Sequence, residues 1–195
     1  MVSKTREKLI DVARQLFMNK GVENTTMNDI ATASEKGRRT IYTYFKNKKE
    51  IYNAVVEQQS ELLVKELREI ATACGSCSER LSRYLSVRLN FSAEIQQRKD
   101  GYRYFFLREH RKIERIHRMA ISKELDILRG LLNEGIESGE FNATQAIRLP
   151  SLVALLTQGG EYVAAHNGFE LFGVKPSDIQ QRVVNFLLDA ILVKH

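Results

Sequence analysis

The sequence predicts an all-α protein, and three observations lead to this prediction. Apolar residues recur at intervals of three and four along most of the 195-residue chain, which is the spacing of one face of an α-helix. Runs of alternating β-branched and polar residues, which are typical of strands, are almost absent. The hydrophobic fraction of 43% is ordinary for a globular protein with a buried core. We expect about nine helices, with no internal repeat and no low-complexity linker.

Three short helices are predicted in the first 45 residues. The first ends at Gly21, because glycine commonly follows the last turn of a helix. The second begins at Thr26, whose hydroxyl can accept a hydrogen bond from a free backbone amide, and Asp29 stands three residues on, as in a capping box. The third begins at Arg38 and ends before Asn47. A tight turn joins the second helix to the third, so the pair forms a helix-turn-helix arrangement.

Longer helices follow from Lys48 onwards. They are predicted, in order, at residues 48–74, 78–97, 113–138, 143–166 and 176–195. Pro150 lies either near the start of its helix or at a kink in it, because proline has no amide hydrogen to donate. Pro176 opens the last helix, at a position where proline is readily accepted. We expect a helix-turn-helix domain over residues 1–47 and a larger helical domain over residues 48–195.

The net charge is concentrated near the beginning of the chain. The whole chain carries +6 at pH 7, and residues 1–50, with eleven lysines and arginines against six acidic residues, carry +5 of it. This concentration favours a polyanionic partner, although a basic face that only keeps the protein in solution is the alternative. A helix-turn-helix places its second helix in the major groove while the first crosses the DNA backbone. Charge and helix pattern together predict double-stranded DNA as the partner.

The front of the third helix carries residue types that can recognise bases. Arg38 and Arg39 can each bond guanine O6 and N7, and Thr40 can offer a hydroxyl or a methyl group to a base edge. The tyrosines and lysines that follow are suited to phosphate oxygens. The candidate DNA-binding residues are Thr26, Lys36, Arg38, Arg39, Thr40, Tyr42, Thr43, Tyr44, Lys46 and Lys48.

Other interpretations exist for part of this set and its neighbours. Tyr42 can belong half to the core, and Lys48 can be no more than a solvated start of the next helix. The residues expected in the core of the three-helix unit are Ile30, Ala31, Ile41 and Phe45.

Three stretches of this region resemble the TetR family of bacterial transcriptional regulators. They are residues 21–26, residues 29–31 and the run Ile-Tyr-Thr-Tyr-Phe-Lys-Asn-Lys over residues 41–48, which follow one another at the family's spacing without a gap. The resemblance is specific over roughly residues 4–55, and beyond them helix number, length and the Gly-Glu-Phe at 139–141 agree. The resemblance implies a repressor that binds a palindromic operator as a homodimer and is released by a small-molecule effector.

The chain departs from the family pattern in the turn before the third helix. Where the family commonly has Ala-Gly-Val-Ser, this chain has Ser34, Glu35, Lys36 and Gly37. The usual serine caps the third helix, and glycine is a poorer N-cap by roughly a few tenths of a kcal/mol. Lys36 adds positive charge beside Arg38. We interpret the departure as a variant DNA-binding surface rather than a loss of DNA binding.

The last two predicted helices are candidates for the dimer contact. Both are rich in Leu, Val, Ile and Phe, and the pair Gly159 and Gly160 would allow a close approach of backbones. Two such helices from each chain can form a four-helix bundle between subunits. The alternative is that they only cover their own core.

The resemblance implies an effector pocket among the middle helices. The candidate lining residues are Phe91, Tyr102, Phe105, Phe106, His110, Ile113, His117, Gln158 and Tyr162, each of which can instead be plain core or surface. Residues 98–118 carry eight cations against three anions. This basic stretch is either a solvated stripe or a region that attracts an anionic effector or flanking DNA.

Other classes of site and protein are not indicated. Cys74 and Cys77 are expected to lie in an interhelical turn, because a zinc site would need two further ligands and no strand adjoins them. No catalytic or phosphate-cradling motif occurs, so we expect neither an enzyme nor a cofactor or metal. A helical adaptor or a binder that uses charge alone is the remaining alternative.

No membrane association is expected. The longest nearly apolar stretch, Leu149–Leu156, is far shorter than the roughly 20 residues of a membrane span. No signal peptide opens the sequence, so we expect a cytoplasmic location.

Overall fold

A computed structural model describes residues 4–97, 110–165, 173 and 176–193, with the side chains of 4–91, 112–160, 173 and 179–193. Within these ranges every regular element is a helix, and an isolated antiparallel bridge joins Phe141 to Leu192. The predicted all-α fold class is therefore confirmed. None of the described helices is both long enough and apolar enough to cross a membrane.

The order of the helices agrees closely with the sequence prediction. They are α1 (Lys4–Lys20), α2 (Met27–Ala33), α3 (Arg38–Tyr44), α4 (Lys48–Ala71), α5 (Cys77–Gln97), α6 (His110–Glu137), α7 (Ala143–Ala146), α8 (Leu149–Ala165) and α9 (Pro176–Ile191). The starts of α2, α3 and α4 agree with the prediction, because capping residues and turns mark them in the sequence.

One predicted helix is divided in two. The sequence predicts a continuous helix over residues 143–166, whereas the chain forms the short α7, capped by the side chain of Asn142, and then begins α8 at Leu149. Pro150 is the second residue of α8 and has no amide hydrogen to donate to the carbonyl of Ala146. The helix therefore restarts at this point, and Pro150 lies near the start of a helix rather than at a kink.

The chain divides into two compact units. The first combines residues 1–61 with 98–117, and the second combines residues 62–97 with 118–195. The sequence predicts a first domain that ends at residue 47. The first compact unit is larger, because it also includes the beginning of α4 and the beginning of α6.

The first unit has a core of its own around the helix-turn-helix. Its buried side chains are Leu9, Ile10, Ala13, Phe17, Val22, Ile30, Ala31, Ile41, Phe45, Ile51, Tyr52, Ala54, Val55, Val56 and Ile113. All four residues predicted as core are among them. The rings of Phe17 and Tyr52 meet edge to face with centroids 5.9 Å apart, which joins α1 to α4. Both α2 and α3 contribute buried side chains to this core, which fixes their positions.

In the second unit, a carboxylate from a distant turn caps α5. Glu140 accepts hydrogen bonds from the backbone amides of Cys77 and Ser78, each at 2.9 Å. Burial by itself would raise the pKa of Glu140, but these bonds outweigh burial and hold its pKa below the usual value. Two amides of the first turn of α5, which have no partner within the helix, are satisfied in this way.

The same turn fastens the end of the chain. Phe141 packs against Gly135 of α6, where even a methyl group would overlap its ring. Two backbone hydrogen bonds then join the turn to the end of α9, namely Asn142 N to Ile191 O at 2.7 Å and Val193 N to Glu140 O at 3.0 Å. The Gly-Glu-Phe motif is thus a structural joint of the second unit.

Two buried arginines of α5 are paired within the second unit. The guanidinium of Arg80 donates to both carboxylate oxygens of Glu134, at 2.6 and 3.0 Å. Arg88 is buried with Glu124, whose backbone carbonyl accepts a 2.7 Å hydrogen bond from the Tyr84 hydroxyl. Buried charges require such partners, so these pairs fix α5 against α6.

Candidate nucleic-acid interface

A complete capping box fixes the start of α2. The Thr26 hydroxyl accepts a hydrogen bond from the Asp29 amide at 3.1 Å, and the Thr26 amide donates to the Asp29 carboxylate at 2.7 Å. Lys20 lies 2.8 Å from the same carboxylate. Its hydrogen bond, together with those from Thr26, lowers the pKa of Asp29 from 3.8 to about 2. Thr26, predicted to contact DNA, therefore has a capping role in the protein, and its DNA contact stays a prediction.

The turn between α2 and α3 contains a residue in an unusual backbone conformation. Glu35 has φ = 56°, in the left-handed region that favours glycine. Two hydrogen bonds to the Ala31 carbonyl hold the turn. The Lys36 amide donates to it at 2.9 Å, and the buried Ser34 hydroxyl donates to it at 3.0 Å. Glu35 occupies the position at which the TetR family commonly has glycine.

α3 presents its front end to solvent. Gly37 is the N-cap and contributes no side-chain hydrogen bond, as the sequence predicts. Ile41 is buried beneath the helix, while Arg38 and Arg39 are exposed and Thr40 is half-buried. The exposed arginines stand where a base-recognising edge is expected.

Further along α3, the candidate residues differ in exposure. Tyr42 is exposed, and the guanidinium carbon of Arg38 lies 5.8 Å from the centroid of its ring, within reach of a cation–π contact. Thr43 is exposed and donates to the Arg39 carbonyl at 3.1 Å, whereas Tyr44 is half-buried against the core of the first unit. The structure therefore does not support the alternative in which Tyr42 lies half in the core.

The loop between α3 and α4 is closed by local capping. The Asn47 side chain accepts a hydrogen bond from the Glu50 amide at 3.0 Å, and the Glu50 carboxylate accepts one from the Lys46 amide at 2.8 Å. The Lys46 side chain is exposed. Lys46 lies in the loop that follows α3, and its contact with a phosphate stays a prediction.

Lys48 is engaged within the protein. Its ammonium donates to the carbonyl of Val22 at 2.7 Å and to the carbonyl of Glu23 at 3.2 Å, in the loop between α1 and α2. The sequence predicts a phosphate contact or a solvated residue at Lys48 and gives no sign of these two hydrogen bonds. No local signal could have found them, because the partners lie 26 and 25 positions away along the chain.

The predicted effector-pocket residues that the structure describes fall in both compact units. Ile113 is 2% exposed in the core of the first unit, and Phe91 is half-buried against the core of the second. His117 is half-buried and Gln158 is exposed. Tyr102, Phe105 and Phe106, together with the side chains of His110 and Tyr162, lie outside the described residues. The pocket assignment stays a prediction.

A groove does open on the second unit, between α4 and α5. It has a volume of about 430 Å³ and is lined by Glu66, Glu69, Ile70, Ser82, Arg83, Ser86 and Val87. None of the predicted pocket residues is among them, and the mixture of acidic, basic and hydroxyl groups does not select one class of ligand.

The two cysteines are free thiols in different surroundings. Cys74 is exposed, and Cys77 is buried with its sulfur 3.0 Å from a guanidinium nitrogen of Arg80. Burial raises the pKa of the Cys77 thiol, which disfavours the reactive thiolate. Among the residues that the structure describes, no cluster of His, Cys, Asp and Glu is arranged to hold a metal ion.

Comparison with known proteins places the N-terminal segment in a family. Residues 9–55 match the family described as bacterial regulatory proteins, tetR family. The chain is 44% identical over 59 residues to the probable acrEF/envCD operon repressor of Escherichia coli K12, covering 30% of this chain and 27% of that protein. It thus spans about a quarter of the length of this curated relative.

Two further comparisons reach beyond the helix-turn-helix. The fatty acid metabolism regulator protein of Bacillus subtilis is 27% identical over 151 residues, which is 73% of each chain. A solved TetR/AcrR-family regulator from Thermobifida fusca superimposes with a TM-score of 0.72 at 22% identity, covering 95% of this chain and 97% of that one. The solved structure supports the fold, and the matched segment carries the α2–α3 arrangement described above. Residues 9–55 therefore match the tetR family of bacterial regulatory proteins, and the chain as a whole has the fold of the solved TetR/AcrR-family regulator.

Proposed function

We propose that this protein is a homodimeric transcriptional repressor that binds a palindromic DNA operator and leaves it when a small molecule binds. One observation carries the proposal: Arg38 and Arg39 are exposed on α3 while Ile41 and Phe45 anchor the same segment in a core. An arginine pair on a firmly supported short helix is suited to bidentate hydrogen bonds with guanine in the major groove.

Phosphate contacts would fix the position of α3 on the duplex. Lys46 and Tyr42 are exposed on or beside α3, and Lys36 is half-buried in the turn before it. Such contacts set the register of the protein on DNA without reading its sequence. Two α3 helices of a dimer, about 34 Å apart, would meet successive major grooves on one side of the duplex.

The dimer proposal is supported by an apolar face of the second unit. Leu152, Leu155 and Leu156 of α8 lie on one helical face at spacings of three and four, and all three are exposed. Gly159 continues this face with no atom within 4 Å of the position that a Cβ would take. Phe186 of α9 is 73% exposed. A surface of this composition is typical of a subunit contact, here with a second copy of the chain.

The operator proposal is tested by selection and competition. The full-length protein selects duplexes from a randomised DNA library, and the enriched duplex then competes with a shuffled duplex at one fixed salt concentration. We expect a preference of roughly a thousandfold or more for the enriched duplex. A binder that uses charge alone would enrich no sequence and show no preference, which would contradict the proposal.

Effector release is tested with the operator complex in hand. The Bacillus subtilis relative is named a fatty acid metabolism regulator, and a solved FadR from the same organism is in complex with stearoyl-CoA. Stearic acid and stearoyl-CoA are therefore the first compounds to add. An effector must bind the DNA-free form more tightly than the DNA-bound form in order to release the operator. We expect the operator affinity to fall and the melting temperature of the free protein to rise with the same compound.

A further inference from the structure

Lys48, a candidate DNA-binding residue, makes two hydrogen bonds to carbonyl groups in another part of the first unit. It is the first residue of α4, and its ammonium lies 2.7 Å from the carbonyl oxygen of Val22 and 3.2 Å from that of Glu23. Val22 is fully buried, so the first of these acceptors belongs to a well-packed segment. Lysine has three donors, and two of them are used here.

The accepting loop is ordered by further hydrogen bonds of the same kind. The buried Thr25 hydroxyl donates to the Gly21 carbonyl at 2.7 Å, and the Asn24 side chain donates to the Lys20 carbonyl at 3.0 Å. Lys48 supplies the bond to the carbonyl of Glu23, which shortly precedes Thr26, the N-cap of α2. Lys48 thus binds the loop three positions before the capping box of α2.

On the basis of the proposed function, we infer that Lys48 is a positioning residue, which ties the start of α4 to the loop that leads into the helix-turn-helix, and is not a phosphate contact. An ammonium that binds two carbonyl oxygens must give up those bonds before it can neutralise a phosphate. The geometry therefore assigns its contribution to the placement of α2 and α3, since both follow directly from the tied loop. Neutralisation of phosphate charge falls to exposed residues such as Lys46.

Three full-length variants test the assignment. Lys48→Met keeps the length of the apolar stem and removes the donors, Lys48→Arg keeps the charge and restores donors, and Lys46→Met removes an exposed lysine from the same region. Binding to the selected duplex is measured over a series of salt concentrations, below the melting temperature of each variant. A lost phosphate contact lowers the salt slope by about one, whereas a lost positioning contact lowers affinity and leaves the slope unchanged.

We expect Lys48→Met to bind the selected duplex about tenfold more weakly with an unchanged slope, and Lys46→Met to lose about one unit of slope. Lys48→Arg should recover most of the affinity, because its guanidinium can also donate to two carbonyls. A slope that falls by about one in Lys48→Met would overturn the assignment in favour of a phosphate contact. So would an affinity equal to that of the unsubstituted protein.

Amide hydrogen exchange on the DNA-free protein decides the same question independently of any operator. Release of the loop should speed exchange of the amides of residues 24–33 in Lys48→Met and leave them unchanged in Lys46→Met. Unchanged exchange in Lys48→Met would overturn the inference even if its DNA affinity fell. If the unsubstituted protein selects no duplex, the proposed function fails, while the exchange rates still decide whether Lys48 positions the loop.

Discussion

At the scale of single residues, the exposed edge of α3 is partly ordered before any DNA arrives. Arg38 and Tyr42 are one helical turn apart, and their cation–π contact restrains both side chains on the solvent face. Restraint of this kind reduces the conformational entropy that an arginine loses when it binds a base. Arg38 is thus better prepared for a specific contact than a fully mobile arginine would be.

Arg38→Ala should lower the affinity for the selected duplex by about 1–3 kcal/mol and relax the preference for one base pair. Lys46→Ala should instead weaken binding to selected and shuffled duplexes alike. Competition titrations with single-base variants of the selected duplex measure both effects. Equal behaviour of the two variants would show that Arg38 does not read bases.

Glu35→Gly should stabilise the protein by about 1 kcal/mol, because the left-handed backbone at this position suits glycine and strains glutamate. The exposed pair between Glu35 and Lys8 is lost in this variant, but a surface ion pair contributes little. Thermal and urea unfolding followed by circular dichroism measure the change.

Glu35→Ala is the matched control, since it removes the same ion pair and retains the strained backbone. It should be no more stable than the unsubstituted protein. Stabilisation by alanine equal to that by glycine would show that the ion pair or the carboxylate, and not the backbone, is responsible.

At the scale of the helices, α2 depends on its first turn more than the longer helices do. It has only seven residues, and an isolated helix of this length is not stable in water. The capping box and the Lys20–Asp29 pair supply bonds that the short helix cannot make internally. Because the turn after α2 leads directly into α3, the cap also contributes to the placement of the proposed DNA-binding surface.

The cap should make the stability of the first unit sensitive to acid. The pKa of Asp29 is 3.8 when unfolded and about 2 when folded, so its stabilising effect is complete above pH 3.8 and is lost as the pH falls towards 2. Melting temperatures between pH 5 and pH 2, measured for the unsubstituted protein and for Asp29→Asn, isolate this effect from that of other carboxylates. The difference between the two proteins should shrink steadily with falling pH, and a constant difference would contradict the assignment.

Gly135→Ala should destabilise the second unit by about 1–3 kcal/mol, because the new methyl group would overlap the ring of Phe141. Gly130 lies in the same helix with open space around it, so Gly130→Ala is the control. Alanine favours a helix interior over glycine, and the control should gain up to about 1 kcal/mol. Denaturant unfolding of both variants tests the pair, and equal effects would show that Phe141 yields without cost.

Local chemistry explains which features the sequence could predict. Thr26 with Asp29 and Gly37 before Arg38 mark helix ends within a few residues, so these starts are correct. Pro150 left two outcomes open because a proline permits both a kink and a first turn. The bond from Lys48 to Val22 and the cap from Glu140 to α5 cross 26 and more than 60 positions, and no pattern of neighbouring residues encodes them.

At the scale of the whole molecule, the two faces of the last helices are clearly different. Val153 and Thr157 of α8 and Val184 and Leu187 of α9 are buried within the second unit. On the outside, Leu155 of α8 is 70% exposed. The alternative that these helices only cover their own core therefore leaves their exposed leucines and Phe186 unexplained.

Leu155→Glu should convert the proposed dimer to a monomer, because a carboxylate in an apolar contact is left without a partner. Asn133→Glu, at an exposed position of α6, adds the same charge elsewhere and should leave the dimer intact. Sedimentation equilibrium measures the mass of both variants. Equal masses for Leu155→Glu and the unsubstituted protein, both dimeric, would move the subunit contact to another surface.

The joint between residues 140–142 and the end of α9 has a genetic consequence. A stop codon that removes Ile191 and Val193 would delete the partners of Asn142 and Glu140 and loosen the residue that caps α5. Termination just before Ile191 should therefore yield a protein that is degraded in the cell rather than a shorter one that still works.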